Sequence, residues 1–261
     1  MSRPRFDCTP FELAGDDTAC LLIHGFTATP YDMRFFGEKL HGCGFSVRAV
    51  CLPGHASRVE EMERHSWQDW YDAVVDDFDQ LPRHSRRRVI VGQSMGALLA
   101  LKLAHDRPDE VDGVVAVSTA LVASNRLLNW AAPILPLLHT WLPSAWRILG
   151  KGDSDIADPK ARQESQAYRG VPLRSVHELL ELQKAVRPLL PAIRQPVLAI
   201  HSRQDHTCPV ENVAMLEGDL GGPVRSLWLD NSFHVVSVDC DKEIAVDAIC
   251  RFAADPLAFV A

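Results

Sequence analysis

Ser94 lies between two glycines in Gly92-Gln93-Ser94-Met95-Gly96, after the apolar run Val89-Ile90-Val91 and before the helix-type run Ala97 to Ala104. A serine on a strand-to-helix turn of this kind is lifted clear of a sheet, where its hydroxyl can act as a nucleophile. The pattern is weak alone, because serine attacks poorly near neutral pH without a base in hydrogen-bond reach and an acid to orient that base. Both follow in the chain order that such a fold requires. Asp205 stands four residues beyond the run Val197 to His201, and His234 stands five beyond Leu229. Each is thus expected on a loop leaving the carboxyl end of a strand, on the same sheet edge as Ser94.

Other residues compete for these roles. Asp230, four residues before His234, is the rival orienting acid, and Asp239 lies beyond the histidine near the last helix. His206 adjoins Asp205, but neighbouring side chains point apart. His24 and His55, in His24-Gly25 and Pro53-Gly54-His55, read as loop-orienting residues. An oxyanion formed during attack needs backbone N–H donors. Met95, opening the helix after Ser94, is one expected donor. Phe26, behind the permissive Gly25, is the other, although plain core packing competes as its role.

The elements that must carry these residues alternate. Short apolar runs at Ala19–His24, Ser46–Leu52, Arg88–Gly92, Gly113–Ser118, Pro196–His201 and Val224–Leu229 read as buried parallel strands. Helical stripes fit between them: Met33, Phe36 and Leu40 after a Thr29 cap and Pro30 at the first helical position; Trp67, Trp70, Tyr71, Val74, Val75 and Phe78 behind the capping box Ser66–Asp69; and Ile244, Ala248, Ile249 and Phe252 near the end. This β-α order predicts an α/β fold with a mostly parallel, doubly wound sheet. It breaks between Thr119 and Gln195, where no strand is visible. An apolar part, Leu121 to Trp146, is followed there by a polar stretch and a helix capped at Ser175 and stopped by Pro188. The expected organisation is a core of residues 1–118 and 196–261 with an inserted lid, 119–195, over the sheet edge that binds ligands.

Composition narrows the class. The chain has 261 residues, of which 47% are hydrophobic and 23% charged, which suits a globular core. A net charge of −7 argues against nucleic acid, and Arg86-Arg87-Arg88 reads as a solvated strand entrance. Seven cysteines make no C-x-x-C pair, and Cys20, Cys51 and Cys250 sit in apolar runs, so reduced thiols and a cytoplasmic setting are expected, with no metal and no cofactor. Neither the polar N-terminus nor the proline-broken stretch Leu127–Leu142 reads as a signal peptide or membrane span. The apolar segment around Trp130 to Trp141 is a candidate for transient membrane or subunit contact; oligomeric state is not encoded legibly.

Together these residues give a chain that resembles the α/β-hydrolase superfamily, in particular small bacterial carboxylesterases and monoacylglycerol lipases. The resemblance rests on Leu21-Leu22-Ile23-His24-Gly25-Phe26-Thr27, Leu52-Pro53-Gly54-His55, Asp69-Trp70, the Gly92–Gly96 elbow and Ser232 to Asp239. It implies an α/β-hydrolase fold, a Ser94–Asp205–His234 triad, and an oxyanion hole from the Phe26 and Met95 amides. Three departures accompany it: Ala56 where a second glycine often stands, Gln93 in the elbow, and the unusually apolar first part of the lid. The expected activity is hydrolysis of short to medium acyl esters, monoacylglycerols among them, with a small-molecule ester as partner. Other serine acyl chemistry (thioester, lactone or peptide hydrolysis, acyl transfer) uses the same residues, and a non-catalytic binding protein on this fold should have lost one of them. Gln93, Glu164 and Gln163 are candidate substrate contacts, and a solvated helix face is the competing reading for the latter two.

Overall fold

The computed structural model describes residues 6–83, 85–122 and 147–261. In chain order its strands and helices are β1 (Phe11–Leu13), β2 (Thr18–Ile23), α1 (Tyr31–Gly42), β3 (Ser46–Val50), α2 (Val59–Met62), α3 (Trp67–Asp79), β4 (Arg87–Gln93), α4 (Met95–Asp106), β5 (Gly113–Val117), β6 (Ile148–Gly150), α5 (Pro159–Glu164), β7 (Gly170–Pro172), α6 (Leu173–Val186), β8 (Val197–Ser202), α7 (Glu211–Asp219), β9 (Val224–Leu229), α8 (Lys242–Ala254) and α9 (Pro256–Val260). Seven strands form one sheet in the order β1-β3-β2-β4-β5-β8-β9. All neighbours are parallel except β1, which runs antiparallel to β3 at the edge.

Side chains alternate across this sheet, and both faces are covered. Leu21, Ile90, Val114 and Val197 pack with Trp70, Val74 and Phe78 of α3 and with Leu98 of α4. Leu22, Val91, Val115 and Leu198 pack with Met33, Phe36 and Leu40 of α1 and with Ile249 and Phe252 of α8. Burial on both faces explains why these strands read as continuous apolar runs. The register sets Ile23 beside Gly92, Gln93 beside Val117 and Ser202 beside Leu229, so the carboxyl ends of β2, β4, β5, β8 and β9 share one edge.

Some local expectations are corrected. The region between β5 and β8 does contain strands: β6 and β7 form a small antiparallel pair. Three residues each are too few for alternation to register, and the same holds for β1. Helix α6 starts at Leu173 behind Pro172, two residues before the expected Ser175 cap; Ser175 is buried inside the helix and Glu178 accepts instead from the Trp67 N–H at 3.2 Å. Thr29 does not cap α1 with its side chain. The capping box at Ser66 and Asp69 is present. Ile244 is exposed rather than inward, whereas Ala248, Ile249 and Phe252 are buried. Cys20 is buried, but Cys51 and Cys250 are only half-buried, and the Cys250 Sγ faces that of Cys43 at 2.8 Å. The apolar stretch from Leu121 to Trp146 lies, beyond Val122, outside the described residues, as does the segment Trp130–Trp141 considered for membrane contact. No helix among the described residues is long and apolar enough to cross a membrane.

Candidate active site

Ser94 joins β4 to α4 with φ 58°, in the left-handed region, and its own N–H donates to the Val117 carbonyl at 2.8 Å. The flanking glycines make this turn possible by what they lack. A Cβ on Gly92 would collide with the backbone of Gly96, and one on Gly96 would collide with the Ile23 carbonyl of β2. A Cβ on Gly25 would stand 3.3 Å from the Ser94 Cβ. Three missing methyl groups therefore let helix, strand and the loop after β2 close around one serine.

The Ser94 hydroxyl donates to His234 Nε2 at 3.0 Å, and His234 Nδ1 donates to Asp205 Oδ2 at 2.8 Å. This pairing fixes the tautomer that leaves Nε2 free to accept from Ser94. Asp205 Oδ1 accepts from the N–H groups of Thr207 and Cys208 at 2.9 and 2.7 Å. Burial pushes the Asp205 carboxyl up, but His234 and the Cys208 N–H outweigh it and hold the group below its ordinary value. His201, 3.4 Å from the same carboxylate, is driven down by burial and bonds to the Cys208 carbonyl. Burial disfavours the charged form of His201, and His234 is the nearer of the two imidazoles to the Asp205 carboxylate.

The rivals for these roles lie elsewhere. Asp230 is exposed and pairs with Arg203 at 3.3 Å. Asp239 is buried and accepts from the N–H groups of Ala157, Asp158, Phe233 and Cys240, a bracing role. His206 is exposed and pairs with Asp155 at 2.8 Å. His24 is buried, driven down to about 4 by desolvation, and its Nε2 accepts from the Leu52 N–H. His55 bonds to the Pro53 carbonyl and stacks over Tyr168.

Around Ser94 and His234 lies a cavity of about 320 Å³. Phe26, Ala28, Ala120, Val171, Leu179 and Val235 supply apolar wall, while Asp32, Lys151 and Asp155 supply charge. Phe26 also packs edge-on to Trp70 at 6.0 Å, so wall and core are both parts of its role. Its N–H makes no backbone hydrogen bond among the described residues, and Met95 opens α4, where first-turn N–H groups have no intrahelical acceptor. Gln93 borders the cavity, yet its amide oxygen accepts from the Ser237 N–H at 3.1 Å, tying the turn after His234 to the elbow. Glu164 lines an adjoining cavity that shares Asp32 and Ser165 with the first, and Gln163 is exposed.

Several residues at the site were not singled out from sequence. Asp155 accepts from the His206 N–H and the Thr207 hydroxyl, while its carbonyl accepts from the Val235 N–H. Lys151 donates to the Thr27 hydroxyl at 2.8 Å. Asp32 is buried and its carboxyl is pushed up to about 6 by desolvation, against the pull of Lys151. A signal for Asp32 existed: it falls four and eight residues before Phe36 and Leu40, on the buried stripe of α1.

The family described as "Serine aminopeptidase, S33" (Hydrolase_4) matches residues 15–241. The chain belongs to this α/β-hydrolase family. It is 28% identical over 246 residues to a thermostable monoacylglycerol lipase of Bacillus sp. (strain H-257), covering 94% of each chain. To a carboxylesterase of Bacillus subtilis (strain 168) it is 23% identical, covering 93% of this chain and 95% of that one. A solved structure from work on LipS and LipT, two metagenome-derived lipolytic enzymes, superposes with a TM-score of 0.85 at 28% identity, over 95% of this chain and 97% of the other. This α/β-hydrolase is a serine hydrolase of the esterase and lipase kind.

Proposed function

We propose that this α/β-hydrolase cleaves carboxylic esters with short to medium acyl chains, glycerol monoesters among them, through an acyl-enzyme on Ser94. The observation that carries this reading is the hydrogen-bonded series Ser94–His234–Asp205 at the wall of an apolar cavity. His234 Nε2 takes the Ser94 proton as Oγ attacks the ester carbonyl, and the imidazolium then gives that proton to the departing alcohol. Water, deprotonated by the same nitrogen, attacks the acyl-enzyme and releases the acid and Ser94. The Phe26 and Met95 amides hold the oxyanion of each tetrahedral intermediate, where one such donor lowers the barrier by roughly 3–4 kcal/mol. Asp205 keeps the imidazole oriented and stabilises its charged form.

A volume of about 320 Å³ is near the lower end of the roughly 300–1,000 Å³ of small-molecule sites, which favours modest acyl chains. The insertion over residues 119–195 acts as the lid of this cavity and sets chain length. Monoacylglycerol is favoured as a substrate by the Bacillus sp. relative.

Initial rates on p-nitrophenyl esters of increasing chain length, beside monoacylglycerols, a thioester and an aminoacyl anilide, test the proposal. The expected result is a maximum among short to medium esters, abolished in Ser94→Ala with the fold intact. Full activity in Ser94→Ala, or turnover of the anilide alone, overturns it.

A further inference from the structure

Thr27 follows the proposed oxyanion donor Phe26, is fully buried, and holds φ 63°. A β-branched residue adopts that region only where its surroundings over-determine it. Here the surroundings come from the insertion. The Lys151 ammonium, just beyond β6, donates to the Thr27 hydroxyl at 2.8 Å, and the Tyr168 N–H, just before β7, donates to the Thr27 carbonyl at 3.0 Å. The two grips are joined, since the Lys151 N–H donates to the Arg169 carbonyl at 2.8 Å. Tyr168 is itself anchored to the core: its hydroxyl donates to the Gly54 carbonyl and accepts from the Ser57 N–H.

Lys151 is an unexpected residue at this place. The residue lines the cavity of Ser94, desolvation depresses its ammonium, and Thr27 is the hydrogen-bond partner of that ammonium. A lysine that only decorated the surface would carry its charge outward into water.

We propose that Lys151 is a positioning residue: with Tyr168 it clasps Thr27 in its left-handed conformation and so aims the Phe26 N–H at the oxyanion. This rests on the esterase reading of Ser94. The clasp touches no reacting atom. It acts on the transition state through the direction of one amide, so it belongs to kcat rather than to substrate affinity.

Lys151→Met and Thr27→Val each delete one end of the bond while keeping much of the side-chain shape. With a p-nitrophenyl ester, either variant lowers kcat about tenfold, a fraction of the cost of deleting an oxyanion donor, and leaves KM within about twofold. Affinity for a trifluoromethyl ketone, which forms a tetrahedral adduct on the serine, falls by the same factor as kcat/KM. The double variant is no slower than the slower single one, because both remove one bond. Amide exchange at Tyr168, whose N–H donates to the Thr27 carbonyl, quickens in both.

Unchanged kcat and unchanged Tyr168 exchange in Lys151→Met overturn the clasp. So does a loss confined to KM for glycerol esters, which would place the ammonium on the alcohol instead. Should Lys151→Met not fold, Thr27→Val carries the same measurements. Failure of the esterase reading looks different: wild-type protein turns over no ester, or Ser94→Ala retains activity, while Tyr168 exchange still decides the clasp.

Discussion

Two walls of one cavity are built by different rules. The core wall, where β2, β4, β8 and β9 end, is set by backbone sterics: glycines at 25, 92 and 96 permit contacts that any Cβ would block or crowd. The wall from the insertion is set by hydrogen bonds that cross to the core: Lys151 and Tyr168 hold Thr27, Asp155 holds residues 206 and 207, and the core's Asp239 holds residues 157 and 158. The first kind of wall supplies chemistry in a fixed place. The second joins that chemistry to whatever covers it, and so governs alignment and fit.

The comparison breaks first if the core wall fails to dominate turnover. Asp205→Asn disturbs the imidazole's orientation and charge support while sparing the insertion, and kcat should fall roughly 10³–10⁴-fold with Tm little changed. A small loss at Asp205 with a large one at Asp230 would move the acid to another loop. Next comes the joint between walls. Asp239→Asn puts an amide where a buried carboxylate accepts four backbone N–H groups. It should cost roughly 2–5 kcal/mol of stability, read by urea unfolding; an unchanged midpoint would mean the two walls are held together by other contacts.

The smallest effect concerns Asp32, on α1 beneath the insertion. Its carboxyl is pushed up to about 6 when folded, so the folded protein binds a proton more readily than the unfolded chain. Stability from the protonated form is fully present below the unfolded value near 4 and is lost as pH rises through 6. Asp32→Asn should therefore be more stable than wild type by roughly 1–3 kcal/mol at pH 7, with the gap closing by pH 4. A gap independent of pH between 4 and 7 would remove the ionised carboxylate as its cause.

The same division governs what could be read from sequence. Gly92, Ser94, Gly96, Asp205 and His234 stand at fixed offsets from apolar runs, so the positions of the elbow and of the proposed acid and base follow from strand periodicity. The insertion has no such ruler. Strands β6 and β7 are three residues long, and the start of α6 carries no local mark, because Ser175 has the type of a cap but packs inside the helix. Lys151, Asp155 and Tyr168 acquire their roles from partners 124, 51 and 111 residues away, a separation that local pattern does not encode. Asp239 illustrates the converse: its type and place suit an orienting acid, and only its four N–H partners reveal a brace.

Gly96 carries a consequence for engineering. Because its missing methyl group is the spacer between α4 and the Ile23 carbonyl of β2, the height of Ser94 above the sheet is a helix-to-strand distance rather than a property of the turn. Transplanting the five-residue elbow onto another α/β scaffold would carry the serine across but not its reach. Helix α4 and the end of β2 form the smallest part that could be moved with the proposed nucleophile still at its present height.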